Sequence, residues 1–540
     1  MNRVVAVLVL IFTSFVCLMA QSNGYFVQFT DKEGSLYSID RPEEFLSERA
    51  IDRRVSQDID IVENDLPVSF AYVNALKELG IDVRYTTKWL NGAIVFSSDS
   101  ELMDTIMNLD FISYVEMTTN SNHVSALVKF KEGHGILKDK NEEEYGYAWD
   151  QIQTVNGYHL HERGYKGKGM QIAVLDAGFY SADNAPSLQH LWDNGQILGY
   201  KDFVDPNSDI FTTHSHGMKV LSIMGGEIAG SYLGTAPGAS YWLLRTEDAA
   251  TETPVEPDYW VCAAEYADSV GADVINSSLG YYEFDSPFNS YTYEMLDGTS
   301  RASKAAEIAA SKGMVVVISA GNEGADEWHY IGVPADAKNI LSVGAMQVDS
   351  TRAYFSSYGP SYDQRIKPEV SALGYFTAVQ SLNGGIEFGA GTSYSAPVIA
   401  GLVACLWQAL PHYTSHQLID LIISHASNFN KADNSLGYGV PNFNASLKTN
   451  IDKVIDAGME WNISPNPFSN YLLLQPLEFD YSLGNITISL FDVAGNAVFK
   501  GKSEMGEKIK LEGFYNMANG LYILVIESAA GKQHYKVMKN

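Results

Sequence analysis

Cysteine is nearly absent from this 540-residue chain, which has three. One of them, Cys17, falls within the first twenty residues. The other two lie in "YWVCAAEYA" (Cys262) and "GLVACLWQA" (Cys405), apolar stretches with helical spacing, which predicts free core thiols rather than a disulfide. No cysteine framework, CxxC dithiol or HExxH zinc helix occurs, so burial must hold the fold. A structural calcium is left open, its ligands unassigned. Basic residues are scarce as well: 36 Lys and Arg stand against 65 Asp and Glu, a formal charge of −29. That balance excludes nucleic acid and anionic membrane surfaces as partners. Past residue 20 no apolar run is long enough to span a bilayer as a helix. Fixed-period repeats and low-complexity tracts are also missing.

The opening segment, "MNRVVAVLVLIFTSFVCLMA", has an early Arg3, an apolar run from Val4 to Val16, and Ala20 before Gln21. This pattern predicts a signal peptide over 1–20, cleaved after Ala20, and hence a secreted protein. A unit over 21–137, including the start of a linker, follows. Its periodicity over 24–118 reads strand-helix-strand-strand-helix-strand, the ferredoxin-like order. The charged stretch "KDKNEEEYG" (138–146) reads as linker. Over 138–447 apolar strands such as "MQIAVLD", "DVINSSLG" and "MVVVISAGN" alternate with helices. Continuous β-branched runs between helices predict an α/β fold, a doubly wound and mainly parallel sheet, with its site at the carboxyl ends of the strands. Residues 458–540 switch to short alternating strands with Gly and Asn turns, predicting an all-β sandwich.

Four polar residues stand at element ends in this α/β region. Asp176 closes "QIAVLD", His216 opens a helix in "THSHGMKV", Asn322 follows "MVVVISAG", and Ser393 precedes the helical run "YSAPVIAGLVACLWQAL". Each alone reads as a cap or a turn. Together they supply a hydroxyl nucleophile, a base to take its proton, a carboxylate to hold the base's tautomer, and an amide to receive an oxyanion. Pro397 places the start of that last helix near Tyr394 to Ala396, with Ser393 at its tip. GxSxG, the signature of the α/β-hydrolases, occurs nowhere.

The order Asp176, His216, Ser393, with "GYKGKGMQIAVLDAGF", "SHGMKV", "DVINSSLG", "SAGNEG", "GVPADAKNILSVGA", "RAYFSSYGP" and "GTSYSAP", resembles the subtilisin-like serine proteases over roughly 147–430. The resemblance implies a serine endopeptidase working through an acyl-enzyme on protein or peptide substrates. Asn322 is then the oxyanion donor, and Ser278, Leu279 and Gly280 pair with the substrate backbone. Gly332 becomes the floor of the main specificity pocket, with room for a large apolar side chain. No cofactor is required for such chemistry. The sequence departs from the family at Ala177, where Ser or Thr is usual, at Met218 and Lys219, and at Tyr394-Ser395 after the nucleophile. The resemblance further implies that 24–118 is an inhibitory pro-domain, a partner of its own enzyme, whose end near "ISYVEMTTN" lies in the cleft before cleavage. The tail, with "SPNPFSN", "ISLFDVAGNAV" and "ANGLYILVI", resembles the sorting domain of type IX secretion cargo. That implies a secretion-machinery partner and a secreted or cell-surface protein reached through the periplasm of a Gram-negative bacterium. A monomer is expected. The competing expectation is an inactive homologue serving as a surface binding or adhesion module.

Overall fold

The computed structural model describes residues 22–120, 133–135, 144–448, 461–476, 485–493, 495–504, 506, 508–528 and 531–540. The expected signal peptide and most of the linker over 138–146 lie outside the described residues. The chain forms two compact units, 1–443 and 444–540.

The first unit begins with the expected α+β element. It runs β1 (Asn23–Phe29), α1 (Glu48–Ser56), α2 (Phe70–Glu78), β2 (Asp82–Thr87), β3 (Gly92–Ser97), α3 (Ser100–Ile106) and β4 (Ile112–Thr119). Its four strands form an antiparallel sheet in the order β2-β3-β1-β4, over a small core that includes Val27, Leu76, Val95 and Ile106. Helix α1 is additional to the ferredoxin-like order. Its sequence, ERAIDRRVS, has no apolar stripe, and it docks by charge instead. Arg53 and Arg54, both buried, reach Asp268 on the helix Val255–Val270 at 2.5 and 2.9 Å. Lys88 joins the same carboxylate at 3.3 Å, and Lys312 meets Asp65 at 2.8 Å. Glu265 accepts the backbone N–H groups of Lys88 and Trp89, each at 2.9 Å.

After β5 (Gly133–Gly135) the chain gives α4 (Trp149–Gln153), α5 (Tyr158–His161), β6 (Gln171–Asp176), α6 (Gln189–Asp193), β7 (Ile197–Asp202) and α7 (His216–Gly225). A small hairpin, β8 (Glu227–Ile228) and β9 (Tyr232–Leu233), leads to β10 (Ser240–Arg245), α8 (Val255–Val270), β11 (Val274–Ser277), α9 (Arg301–Ser311) and β12 (Val315–Ser319). Then follow β13 (Leu341–Met346), β14 (Val370–Leu373), β15 (Tyr375–Gln380), β16 (Ile386–Ala390), α10 (Thr392–Ala409) and α11 (Ser415–Ser424).

Seven strands form the predicted parallel sheet in the order β14-β13-β12-β11-β6-β10-β7. The chain enters at β6, builds β7 and β10 on one side, then crosses to β11 and proceeds outward to β14. The crevice is thus set where the winding reverses around β6. The strands' continuous apolar runs are explained by burial on both faces, with α8 and α9 among the covering helices and Trp260 deep in the core. Both Cys262 and Cys405 are buried free thiols, as their settings predict.

The second unit is all β. Sheet β17 (Trp461–Ser464), β18 (Tyr471–Pro476), β21 (Ile509–Glu512) accompanies a four-stranded sheet ordered β20-β19-β22-β23. These four are β19 (Asn485–Phe491), β20 (Ala497–Glu504), β22 (Gly520–Ser528) and β23 (Gly531–Lys539). Among the described residues the strands within each sheet pair antiparallel. Alternate residues of both sheets, among them Leu472, Leu474, Ile488 and Leu490, make its core. Among the described residues no helix is long and apolar enough to cross a membrane.

Candidate active site

Asp176 is the last residue of β6 and is fully buried. Its Oδ1 accepts the Nδ1–H of His216 at 2.8 Å and the N–H of Ala177 at 2.8 Å. Ala177 offers no hydroxyl, and Asp176 Oδ2 finds no hydrogen-bond partner among the described residues. His216 opens α7, whose first turn approaches β6 closely. A Cβ at Gly217 would stand 2.5 Å from the Gly178 carbonyl oxygen, so only glycine lets the histidine reach the aspartate. Because Nδ1 donates to Asp176, the neutral ring carries its lone pair on Nε2.

Ser393 is the second residue of α10, which begins at Thr392, earlier than the proline suggested. Pro397 therefore sits in the second turn. It has no N–H to offer the Ser393 carbonyl four residues back, and the hydroxyl of Ser278 donates to that carbonyl instead, at 2.9 Å. The Ser393 hydroxyl donates to the Ser278 carbonyl at 3.2 Å. The helix start is thereby tied to the end of β11 by two reciprocal bonds across the missing one.

Asn322 follows β12 at the level of Ser393. Its Oδ1 accepts the N–H and hydroxyl of Thr392 at 2.8 and 3.1 Å, which commits the oxygen and leaves the amide nitrogen as the group that faces outward to donate. The backbone N–H of Asn322 donates to Glu323 Oε2 at 2.7 Å, and Ser357 Oγ donates to the same oxygen at 3.2 Å. Gly321, before it, holds φ at +114°, a turn that a side chain would strain.

His216, Ser393 and Asn322 line one cleft with Ser278, Leu279, Gly280 and Gly332, and Asp176 is buried behind His216. Tyr281 and Val333 exchange backbone hydrogen bonds of 2.7 and 2.9 Å, fixing Gly332 beneath Gly280. A Cβ at Gly332 would lie 3.3 Å from the Tyr281 nitrogen, so the glycine keeps the floor open. All eight predicted site residues come together here. None of residues 112–120 lines the cleft. The preceding segment found beside it is β5, which pairs antiparallel with β16 and sets Gly133 opposite Ala390, three residues before Ser393.

Sequence reasoning missed Thr392, Glu323 and Glu247. The first two lie inside the motifs already quoted, and only the folded turn reveals their bonds. Glu247 lines the cleft fully buried and accepts the Tyr281 hydroxyl, whose pKa burial and then this carboxylate push well up. Its oxygen lies within 4.8 Å of those of buried Glu252 and Glu256, the one group among the described residues that brings three candidate metal ligands together.

Known proteins are similar to this chain in sequence. A family model described as "Subtilase family" covers residues 167–439. One described as "Peptidase S8 propeptide domain, Bacteroidota" covers 24–132, and one described as "Secretion system C-terminal sorting domain" covers 462–540. The chain is similar to subtilisin E of Bacillus subtilis (strain 168), 29% identical over 338 residues, 61% of this chain and 78% of that protein. It is 30% identical over 284 residues to the subtilisin of Bacillus pumilus, 51% of this chain and 90% of that one. Serine protease AprX of Bacillus subtilis (strain 168) is 27% identical over 308 residues, 52% of this chain and 66% of its own length.

Proposed function

Because this chain belongs to the subtilase family, and is a secreted serine endopeptidase made as a zymogen, we propose that its chemistry runs through Asp176, His216, Ser393 and Asn322. The observation that carries this reading is the 2.8 Å bond to buried Asp176 from His216, which lines the same cleft as Ser393. Nε2 of His216 takes the Ser393 proton as Oγ leaves its resting bond to Ser278 and attacks a peptide carbonyl. Asp176 steadies the imidazolium so formed. The Asn322 amide and the Ser393 N–H, at the positive end of α10, receive the oxyanion. His216 returns the proton to the leaving amine, and water then hydrolyses the acyl-enzyme. No cofactor enters these steps.

An extended substrate would add as a strand along Ser278, Leu279 and Gly280, with its side chain before the scissile bond above Gly332, which has room for a large apolar group. The enzyme is proposed to act as a monomer and to pass through the periplasm of a Gram-negative cell before the machinery that reads its tail releases it. A fluorophosphonate probe tests the central assignment. It should label the intact enzyme and not Ser393→Ala; no labelling of the intact enzyme would overturn it.

A further inference from the structure

The residue after Ser393 is one of the positions at which the sequence departs from the subtilisin-like pattern, and the structure gives it a task. Tyr394 is 2% exposed and lies in the first turn of α10, its N–H donating to the Gly391 carbonyl at 3.1 Å. Its ring stacks on the imidazole of His216, centroids 5.9 Å apart and planes inclined by 26°. On the other side the ring presses on β16. A Cβ at Gly389 would come within 2.3 Å of Tyr394 Cε2, so that strand carries a glycine where the ring passes. The ring is therefore wedged between β16 and the histidine, on the same helical turn as Ser393.

We propose that Tyr394 is a positioning residue for the general base, its ring face fixing the tilt of His216 and favouring the cation that His216 becomes. The inference rests on the reading of Ser393 and His216 given above. The second torsion of a histidine side chain has a broad, roughly two-fold profile, so rotamer preference alone does not set the ring's tilt. The bond from Nδ1 to Asp176 holds one edge of the ring. The tyrosine face supports its plane, so Nε2 stays directed at the Ser393 side of the cleft. The second effect arises during reaction. A positive charge within about 6 Å of an aromatic centroid is attracted by the ring quadrupole. His216 carries that charge only after taking the serine proton, so the contact strengthens on the way to the transition state and acts on kcat more than on KM.

The test compares Tyr394→Phe, which keeps the ring, with Tyr394→Leu, which keeps apolar bulk without one. Peptide hydrolysis gives kcat and KM, and the rate of sulfonylation by phenylmethylsulfonyl fluoride reports the Ser393–His216 pair with little help from substrate subsites. Tyr394→Phe should stay within about twofold of the parent, whereas Tyr394→Leu should lose about three- to tenfold in both kcat and sulfonylation rate, the range one aromatic contact supports. KM should move by less than about twofold. Should Tyr394→Leu not fold, Tyr394→Met, unbranched and of similar length, is read the same way. Three results would overturn the inference: a ringless variant with unchanged kcat, a loss confined to KM, or a Phe variant as slow as the Leu one, which would give the role to the hydroxyl. A parent enzyme inert to the sulfonyl fluoride would instead sink the nucleophile assignment, a separate outcome.

Discussion

Asn322 shows how a single amide is aimed. An asparagine can present either end of its amide to a ligand, and Thr392 decides the matter by donating twice to Oδ1. The nitrogen is left to donate, and a preset donor acts most strongly where charge develops. Asn322→Ala should therefore slow turnover by about 10²–10³-fold with little change in KM. Turnover within about threefold of the parent would remove Asn322 from the oxyanion site. A second residue sets a pH response. His161 is 5% exposed, donates from Nε2 to the Thr235 carbonyl at 2.9 Å, and has its pKa lowered by burial from 6.5 to about 4. The folded protein keeps it neutral while the unfolded chain binds a proton below 6.5. Its contribution is present above pH 6.5 and is lost as pH falls towards 4, at about 1.4 kcal/mol per pH unit. On an inactive Ser393→Ala background, urea unfolding at pH 7 and pH 5 should show a loss that shrinks by about 2 kcal/mol in His161→Gln. An equal loss in both proteins would mean that other groups carry the acid response.

At the scale of elements, what the sequence revealed follows the physics of each piece. Parallel strands were legible because burial on both faces forces unbroken apolar runs, and the site was legible because Asp176 and Asn322 interrupt such runs at their carboxyl ends. Helix α1 was not legible, since nothing apolar marks it; its fixed point is a carboxylate on another element more than two hundred residues away. The start of α10 was misplaced because proline's preference for the first turn was taken as decisive, whereas Ser278 supplies the donor that lets Pro397 sit one turn further in. The ionic docking of α1 makes its own prediction. Separately made pro-domain should inhibit the mature enzyme at micromolar concentration. Arg54→Ala leaves Asp65 and Asp268 short of a shared partner in a buried site, while Arg53 and Lys88 still face Asp268. Breaking a buried pair costs about 3 kcal/mol at the low end, so the inhibition constant of that variant should rise about a hundredfold. An unchanged constant would show that Arg54 contributes nothing to docking.

For the whole molecule, maturation and export divide the chain at two places. Strand β5 lies against β16 with Gly133 opposite Ala390, close in sequence to the nucleophile, and the propeptide match ends at residue 132. Maturation should therefore yield an N-terminus within a few residues of Gly133, read by N-terminal sequencing, and Ser393→Ala should accumulate the unprocessed chain. A terminus well after Tyr145, or normal processing of the alanine variant, would refute self-cleavage there. The second division falls before the tail. Residues from Trp461 onward bury their own core between two antiparallel sheets, so removing them takes no strand from the seven-stranded sheet and no side chain from its core. Truncation after Ala457 should leave thermal stability and peptidase activity of the first unit intact while the protein stays in the periplasm. Fusion of 458–540 to an unrelated periplasmic reporter should export the reporter. Both are measured by the reporter and protease content of periplasmic, outer-membrane and culture fractions. Alternation of residues shows that the tail folds; it does not show what reads it, and only export can. Normal export of the truncated chain would refute the sorting role and leave the protease chemistry untouched, because the catalytic groups all belong to the other unit.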